Sequence, residues 1–131
     1  MRQEARYWMQ DAINDLADSR KMAAAGMFNW AVLAARQCIE KALKAAYIAL
    51  KREDPPWLHS LTALADEVFP DIPADLREDL LDLNRHYTTT RYPDAVAGVT
   101  AEAYSLVSAQ NAVDQAERCL QWITKALNWP S

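Results

Sequence analysis

Cationic and aromatic side chains at several points of this sequence have the chemistry to bind a nucleotide or RNA. Arg85 and Arg91 each carry a planar guanidinium that can present two donors to phosphate oxygens. Lys41 and Lys44 can add point charges, and Tyr92 offers a ring on which a base can stack. These five residues together predict a local positive site that binds phosphate.

An alternative interpretation makes the same residues structural. Arg91 can pair with Glu40, on a predicted helix, or with Asp94, three positions further along the chain. An Arg–carboxylate pair would neutralise the positive site, and Tyr92 would then pack into the protein. His59 also has a structural alternative, because a His beside a helix start often makes a local backbone hydrogen bond. The residues alone leave both interpretations open.

The charge of the whole chain limits such a site to a patch. The net charge is −4 and the isoelectric point is about 5.1, whereas general nucleic-acid binders are usually basic overall.

The length of 131 residues fits one domain, 1–131, with a single core. Because the sequence has only two Gly and is rich in helix formers, it favours helix throughout.

The sequence predicts no metal site, disulfide or membrane segment. Asp11, Asp15 and Asp18 share one side of a predicted helix, but hard cations need more oxygens, so we expect a solvated acidic face. Cys38 and Cys119 lie on or beside apolar helix arcs and are predicted to be small buried residues. There is no leader pattern and no uninterrupted apolar run of the ~18 residues that a membrane span requires. We therefore expect a soluble cytoplasmic protein without a cofactor.

Hydrophobic periodicity predicts an all-α protein, an antiparallel up-and-down bundle of four to five helices. Gly26 is placed to end the first helix, and the pair Pro55–Pro56 is placed to stop the second. The predicted helices cover residues 2–25, 27–52, 57–68, 74–87 and 100–128. The longest predicted loop, 88–99, contains Arg91, and long loops in compact helical proteins are often functional.

The second helix is predicted to organise the others because it has two distinct faces. The inward face is predicted to contain Phe28, Val32, Ala35, Ile39, Ala42, Leu43, Ala46 and Leu50. A polar arc, whose simplest interpretation is a solvated surface, contains Arg36, Gln37, Glu40, Lys41 and Lys44. Large apolar residues interleaved with that charge favour a covered surface instead. These residues, which predict a homodimer, are Trp30, Leu33, Tyr47 and Ile48.

The last helix is predicted from an apolar repeat. Thr100 is its expected N-cap. Starting at Leu106, every seventh residue is apolar, as in a helical seam that packs on long antiparallel neighbours. The repeat consists of Leu106, Val113, Leu120 and Leu127.

Short motifs spread over nearly the whole chain resemble those of the HEPN domain, a helical nucleotide-binding domain of prokaryotes and higher eukaryotes. They are Trp8…Ala12…Asp15-Leu16, Gln37-x-x-Glu40-Lys41-x-x-Lys44-Ala45, His59-Ser60-Leu61 and Tyr87-x-x-x-Arg91-Tyr92-Pro93-Asp94. The resemblance implies a helical bundle that is often a homodimer. It also implies a partner, because small stand-alone members frequently accompany a minimal nucleotidyltransferase and resemble parts of toxin–antitoxin pairs.

The resemblance also sets an expectation about catalysis. Family members that cut RNA carry an Arg followed, after four to six residues, by a His that acts as its acid–base partner without a metal. The positions that should offer this His after Arg91 hold Val96, Ala97 and Gly98, so the base is missing. His86 precedes Arg91 and would substitute only if the loop folded back over the fourth helix.

Another Arg–His pair, Arg52 and His59, has the right spacing but straddles the Pro55–Pro56 turn, and we interpret it as chance. The sequence thus favours a nucleotide- or RNA-binding module over an enzyme. A metal-independent ribonuclease and a purely structural dimerising protein are the alternatives.

Overall fold

The computed structural model describes residues 2–130, and every regular element in that range is helical. The all-α prediction is therefore confirmed. The long helices are α1 (Gln3–Ala24), α2 (Phe28–Lys51) and α7 (Leu106–Ala126), with α3 (Leu61–Val68) and α4 (Ala74–Asn84) between them. Two single-turn helices, α5 (His86–Thr89) and α6 (Pro93–Val96), and a 3-10 turn at Thr100–Ala103 connect α4 to α7.

The hairpin between α1 and α2 is set by Gly26, as predicted. Gly26 has a φ of +82°, a left-handed conformation that glycine adopts without steric cost. Its N–H donates to the carbonyl of Ala23 at 3.2 Å, and the N–H of Met27 donates to the carbonyl of Met22 at 2.9 Å. This pair of bonds is a Schellman motif, which satisfies the last carbonyls of α1 and turns the chain back.

The core lies between α1, α2 and α7, with α3 and α4 closing one side. Ile39 and Leu43 at the middle of α2 are fully buried. Two predictions about this helix are wrong. Leu50, expected inside, is 54% exposed because it lies in the last turn of α2, and Ile48, expected on the outer arc, is buried. Cys38 and Cys119 are free and buried, as predicted.

The segment after α2 differs from the predicted third helix. Residues 57–60 are not helical, and α3 begins at Leu61. Ser60 is its N-cap, since the Ser60 hydroxyl accepts a hydrogen bond from the N–H of Ala63 at 3.2 Å. The extended segment that includes Trp57 and His59 therefore lies against the side of α2 instead of forming the first turn of α3.

The predicted loop 88–99 is partly ordered into α5 and α6. The predicted fourth helix ends early, at Asn84. Pro93 occupies the first turn of α6, a position that suits its fixed φ, and Ala97 ends α6 in the left-handed region with a φ of 53°. No helix within residues 2–130 is both long and apolar enough to cross a membrane.

The last helix begins six residues later than predicted, at Leu106. Ser105 is the N-cap instead of Thr100. The Ser105 hydroxyl accepts from the N–H of Ser108 at 3.1 Å, and the Ser108 hydroxyl accepts from the N–H of Ser105 at 2.7 Å. This reciprocal capping box satisfies two amide groups that no helical carbonyl reaches. Since Leu106 lies in the first turn, it is exposed, unlike Val113 and Leu120 in the same seam.

Removing the observed cap should therefore destabilise the protein more than removing the predicted one. We expect Ser105→Ala to lower the free energy of unfolding by about 1 kcal/mol. Thr100→Ala, the matched control, should change it little, because Thr100 caps no α-helix. Urea denaturation followed by circular dichroism measures both values. Equal losses in the two variants would contradict the capping role of Ser105.

Candidate functional site

Three charged residues one turn apart on α2 form a buried ion cluster, made of Arg36, Glu40 and Lys44. The Nη1 of Arg36 donates to Oε1 of Glu40 at 2.8 Å, and the Nζ of Lys44 donates to Oε2 of Glu40 at 3.1 Å. The three residues are only 1%, 6% and 7% exposed. The solvated interpretation of the polar arc of α2 therefore fails at these positions, where residues of the same chain cover it.

His59 and Tyr87 cover the ion cluster. Arg36 donates through Nη2 to the backbone carbonyl of His59, and Nδ1 of His59 lies 3.3 Å from Oε2 of Glu40. The His59 ring stacks on Tyr87, with ring centroids 5.0 Å apart, and the Arg36 guanidinium lies 4.5 Å from the same centroid. The ring of His59 thus contacts Glu40, not the local backbone as the structural alternative predicted. Its side chain remains 51% exposed.

The electrostatics of the cluster keep Glu40 ionised. Burial alone would raise the pKa of this carboxyl, because it disfavours the charged form. The hydrogen bonds and charges of Arg36 and Lys44 outweigh burial and hold the pKa of Glu40 below its usual value. The carboxylate is therefore available near neutral pH to orient the His59 ring.

Arg91 lies at the edge of this cluster, on the short segment between α5 and α6. Its Nε and Nη2 donate to the carbonyl of Tyr87 at 3.2 and 2.8 Å. Its guanidinium lies 4.7 Å from the ring centroid of Tyr87 and 5.1 Å from that of Tyr92. Among residues 2–130, no Asp or Glu side chain forms an ion pair with it. Neither of the predicted neutralising pairs, with Glu40 or Asp94, is formed.

The position of Arg91 depends on residues that the sequence analysis did not single out. The Thr90 carbonyl accepts a hydrogen bond at 3.0 Å from the side-chain amide of Asn29, which is buried near the start of α2. The Thr90 hydroxyl donates to the carbonyl of His86 at 3.0 Å. The first bond ties the segment to α2, and the second is local to α5. Tyr92 is left exposed beside Arg91. The sequence places Arg36 on the polar arc of α2 but does not assign it to the site, although its spacing of four from Glu40 could have indicated the pair.

The other predicted cations have acidic partners elsewhere. The Nζ of Lys41 lies 2.9 Å from Asp15 and 3.6 Å from Asp11 on α1, so this acidic face is partly neutralised. Arg85 pairs with Asp82 one turn earlier on α4. Lys44 belongs to the ion cluster. The four predicted phosphate-binding cations therefore do not converge as one set, and Arg91 alone is without an acidic partner among residues 2–130.

The remaining predicted residues are placed as follows. Nδ1 of His86 lies 2.8 Å from the hydroxyl of Tyr104, which is also 2.6 Å from the hydroxyl of Thr89. Burial, together with the charge of Arg85, lowers the pKa of His86. Its ring therefore contacts the connection to α7 as a neutral group, and it is not stacked with Arg91. Gln37 is half-buried on α2, and Asp94 is exposed on α6.

A metal-binding arrangement is also absent from the described part of the chain. In residues 2–130, no group of three or more His, Cys, Asp and Glu side chains is positioned to hold a metal ion. The chemistry that the geometry offers is that of a fixed guanidinium, two tyrosine rings and a carboxylate-bound imidazole.

Comparisons with known proteins point to one family. Residues 5–127 match the model of the HEPN domain. The crystal structure of TT1696 from Thermus thermophilus is similar, with 34% identity, a TM-score of 0.85 and coverage of 95% of this chain and 98% of that one. ST0689, an archaeal HEPN homologue, has 28% identity, a TM-score of 0.81 and coverage of 96% and 99%. An HEPN domain protein from Thermotoga maritima has 25% identity, a TM-score of 0.72 and coverage of 95% and 99%. Among curated proteins no match was found.

Proposed function

We propose that this chain, which belongs to the HEPN domain family, is a module that binds a nucleotide or RNA through Arg91. The observation that carries the proposal is the environment of the Arg91 guanidinium, that is, its hydrogen bonds and neighbouring side chains. The guanidinium is fixed by the Tyr87 carbonyl and flanked by two tyrosine rings, and it has no acidic partner among residues 2–130. No carboxylate therefore neutralises this guanidinium, and its charge is available to an anion.

The geometry around Arg91 suits a phosphate. Nε and Nη2 are occupied by the Tyr87 carbonyl, and Nη1 has no hydrogen-bond partner within residues 2–130. A held guanidinium loses less side-chain entropy when it binds an anion than a free one does. Tyr92, which is 52% exposed, lies at its side and can stack with a base.

We also propose, from the family resemblance, that the module partners a minimal nucleotidyltransferase in a two-component, toxin–antitoxin-like system. We further propose that two copies of the chain form a homodimer. The exposed Trp30 and the half-buried Leu33 and Tyr47 supply apolar surface for it, whereas Ile48 is buried and cannot contribute.

A ribonuclease is the second candidate function, and one observation favours it. His59 has the arrangement of a general base, with a carboxylate on Nδ1 and a half-exposed ring. It stacks on Tyr87, the same ring that contacts Arg91. If this chain cuts RNA, we propose His59 as the base in place of the His that is missing after Arg91.

Binding to ATP, GTP and a short single-stranded RNA, measured by calorimetry on wild type and Arg91→Ala, tests the proposal. We expect saturable binding to wild type that weakens about tenfold or more in the variant, or at least about 1.4 kcal/mol. Arg77→Ala is the control, because Arg77 is an arginine that already pairs with Asp66. Each RNA sample is checked for cleavage on a denaturing gel.

The outcomes separate the candidates. Loss of binding in Arg91→Ala without any cleavage by wild type supports the module. Cleavage by wild type that is lost in both Arg91→Ala and His59→Ala identifies a ribonuclease. If wild type and Arg91→Ala do not differ, Arg91 is a structural residue and the proposal is wrong.

A further inference from the structure

A cleft of about 320 Å³ opens on the other side of the ion cluster, between α1 and the segment that follows α2. We call it the tryptophan cleft. Its lining consists of Trp8, Lys44, Asp54, Pro55, Pro56 and Trp57. None of these residues except Lys44 appears in the predicted phosphate site, so the cleft is a separate feature of the surface.

The two indoles of the cleft differ in how they are held. Trp8 is half-buried on α1 and packs against the core, and the ammonium of Lys44 lies 5.4 Å from its ring centroid. Trp57 is 96% exposed. Leaving so large an apolar side chain in water is unfavourable, and Pro55 and Pro56 restrict the backbone that presents it. The core therefore fixes Trp8, whereas the exposed Trp57 would bury apolar surface by packing on a ligand.

A planar aromatic ring fits these walls. Indole faces stack with nucleobases in single-stranded nucleic-acid sites, because every base presents a π-face. The volume of the cleft lies at the lower end of the range of small-molecule sites, which begins at about 300 Å³. A bicyclic purine base with part of its ribose is a ligand of that size.

The carboxylate of Asp54, at the rim of the cleft, indicates whether the cleft prefers guanine or adenine. Asp54 has only a loose ion pair, with Nη2 of Arg2 at 3.9 Å, so its carboxylate is free to accept hydrogen bonds. A carboxylate has acceptors only. Guanine presents two adjacent donors, N1–H and the 2-amino group, that match both carboxylate oxygens. Adenine presents one donor beside an acceptor, which the carboxylate would repel.

Contacts between side chains connect the cleft with Arg91 through the ion cluster. Lys44 lines it and is bonded to Glu40, and Glu40 contacts His59. His59 and Arg91 both contact the ring of Tyr87. The cleft and Arg91 therefore lie on either side of the ion cluster and are connected through its buried side chains.

We infer that the tryptophan cleft is a base-binding subsite that takes a guanine ring between the indoles of Trp8 and Trp57, with Asp54 accepting from N1–H and the 2-amino group. The inference rests on the proposed function, which it deepens by naming the base. Its determinants, however, are residues other than Arg91. The two can therefore fail independently.

Titration of the 131-residue chain with GMP and with AMP, followed by tryptophan emission and by calorimetry, tests the subsite. We expect GMP to quench the emission of wild type and to bind more tightly than AMP. Trp57→Ala should weaken GMP binding about tenfold or more, and it should fold normally because Trp57 is 96% exposed. Asp54→Asn should reduce the preference for GMP over AMP. Trp30→Ala, which removes another exposed indole, is the control.

Comparison with Arg91→Ala separates the two claims. If Arg91→Ala loses GMP affinity and Trp57→Ala does not, the subsite is wrong and the proposed function stands. If Trp57→Ala loses affinity and Arg91→Ala does not, the subsite stands and Arg91 is not the phosphate ligand. Wild type that binds no GMP would overturn the subsite, while the titrations with ATP, GTP and RNA decide the proposed function. Equal binding of GMP and AMP would overturn the role of Asp54.

Discussion

Glu40→Ala is expected to lower the free energy of unfolding by about 3–5 kcal/mol, because it leaves two buried cations without their shared carboxylate. Arg36 and Lys44 are 1% and 7% exposed and have Glu40 as their ion-pair partner. The charge of Arg36 in particular would stay buried without a carboxylate beside it. The expected loss is the cost of breaking the cluster, which is larger than the net stability that an intact buried pair contributes.

Urea denaturation at neutral pH measures this loss. Asp66→Ala, which breaks the exposed pair between Asp66 and Arg77, is the control and should change stability far less. A Glu40→Ala variant as stable as the control would mean that water reaches Arg36 and Lys44 in the folded protein.

The same cluster predicts how stability depends on pH. The pKa of Glu40 is lowered in the folded protein, so at acid pH the unfolded chain binds its proton first. The stabilisation from Glu40 is therefore complete above the ordinary pKa of 4.5 and is lost as the pH falls through the lower folded value. Glu40→Gln has no such group, so its stability should fall less than that of wild type over this acid range.

Leu43→Ala is expected to lower the free energy of unfolding by about 2–5 kcal/mol, because it opens a cavity at the centre of the core. Leu43 is fully buried on α2, the helix against which α1, α3 and α7 pack. Surrounding side chains can fill only part of the space that the substitution leaves.

Leu50→Ala makes the identical chemical change seven residues later on the same helix, where the side chain is 54% exposed. We expect its effect to stay within about 0.5 kcal/mol, as for most surface substitutions. Thermal and urea denaturation of both variants gives the comparison. Similar losses would mean that the end of α2 is covered in solution, for example by a second copy of the chain.

Much of the fold could be predicted because it depends on local patterns. The 3.6-residue period, Gly26 and the Pro55–Pro56 pair place α1 and α2 to within about two residues, the usual uncertainty of helix ends. The start of α7 could not be placed the same way. Thr100 and Ser105 are both acceptable caps, and only the reciprocal bonds with Ser108 distinguish them.

The site was predictable only in part. Residue type and place in a motif single out Arg91, Tyr92, His59 and Glu40. The contacts that these residues make could not be predicted in this way. Whether the polar arc of α2 is solvated depends on where residues 57–59 lie. Their position is set by tertiary packing, which the helical periodicity of α2 does not reveal. For the same reason Arg36 could be assigned to the polar arc but not recognised as buried.

The bond between Asn29 and Thr90 has a consequence for the dynamics of the protein. Thr90 is fully buried, whereas neither α5 nor α6 contains a buried residue. Thr90 and the Tyr87 ring hold the α5 end of this segment to the bundle, whereas α6 has little apolar surface to hold it. Such segments open by local unfolding at a small fraction of the global free energy, and their amides exchange hydrogen early. A ligand that bridges Arg91 and the bundle would therefore slow this exchange, and part of its binding free energy would be spent in keeping the segment closed.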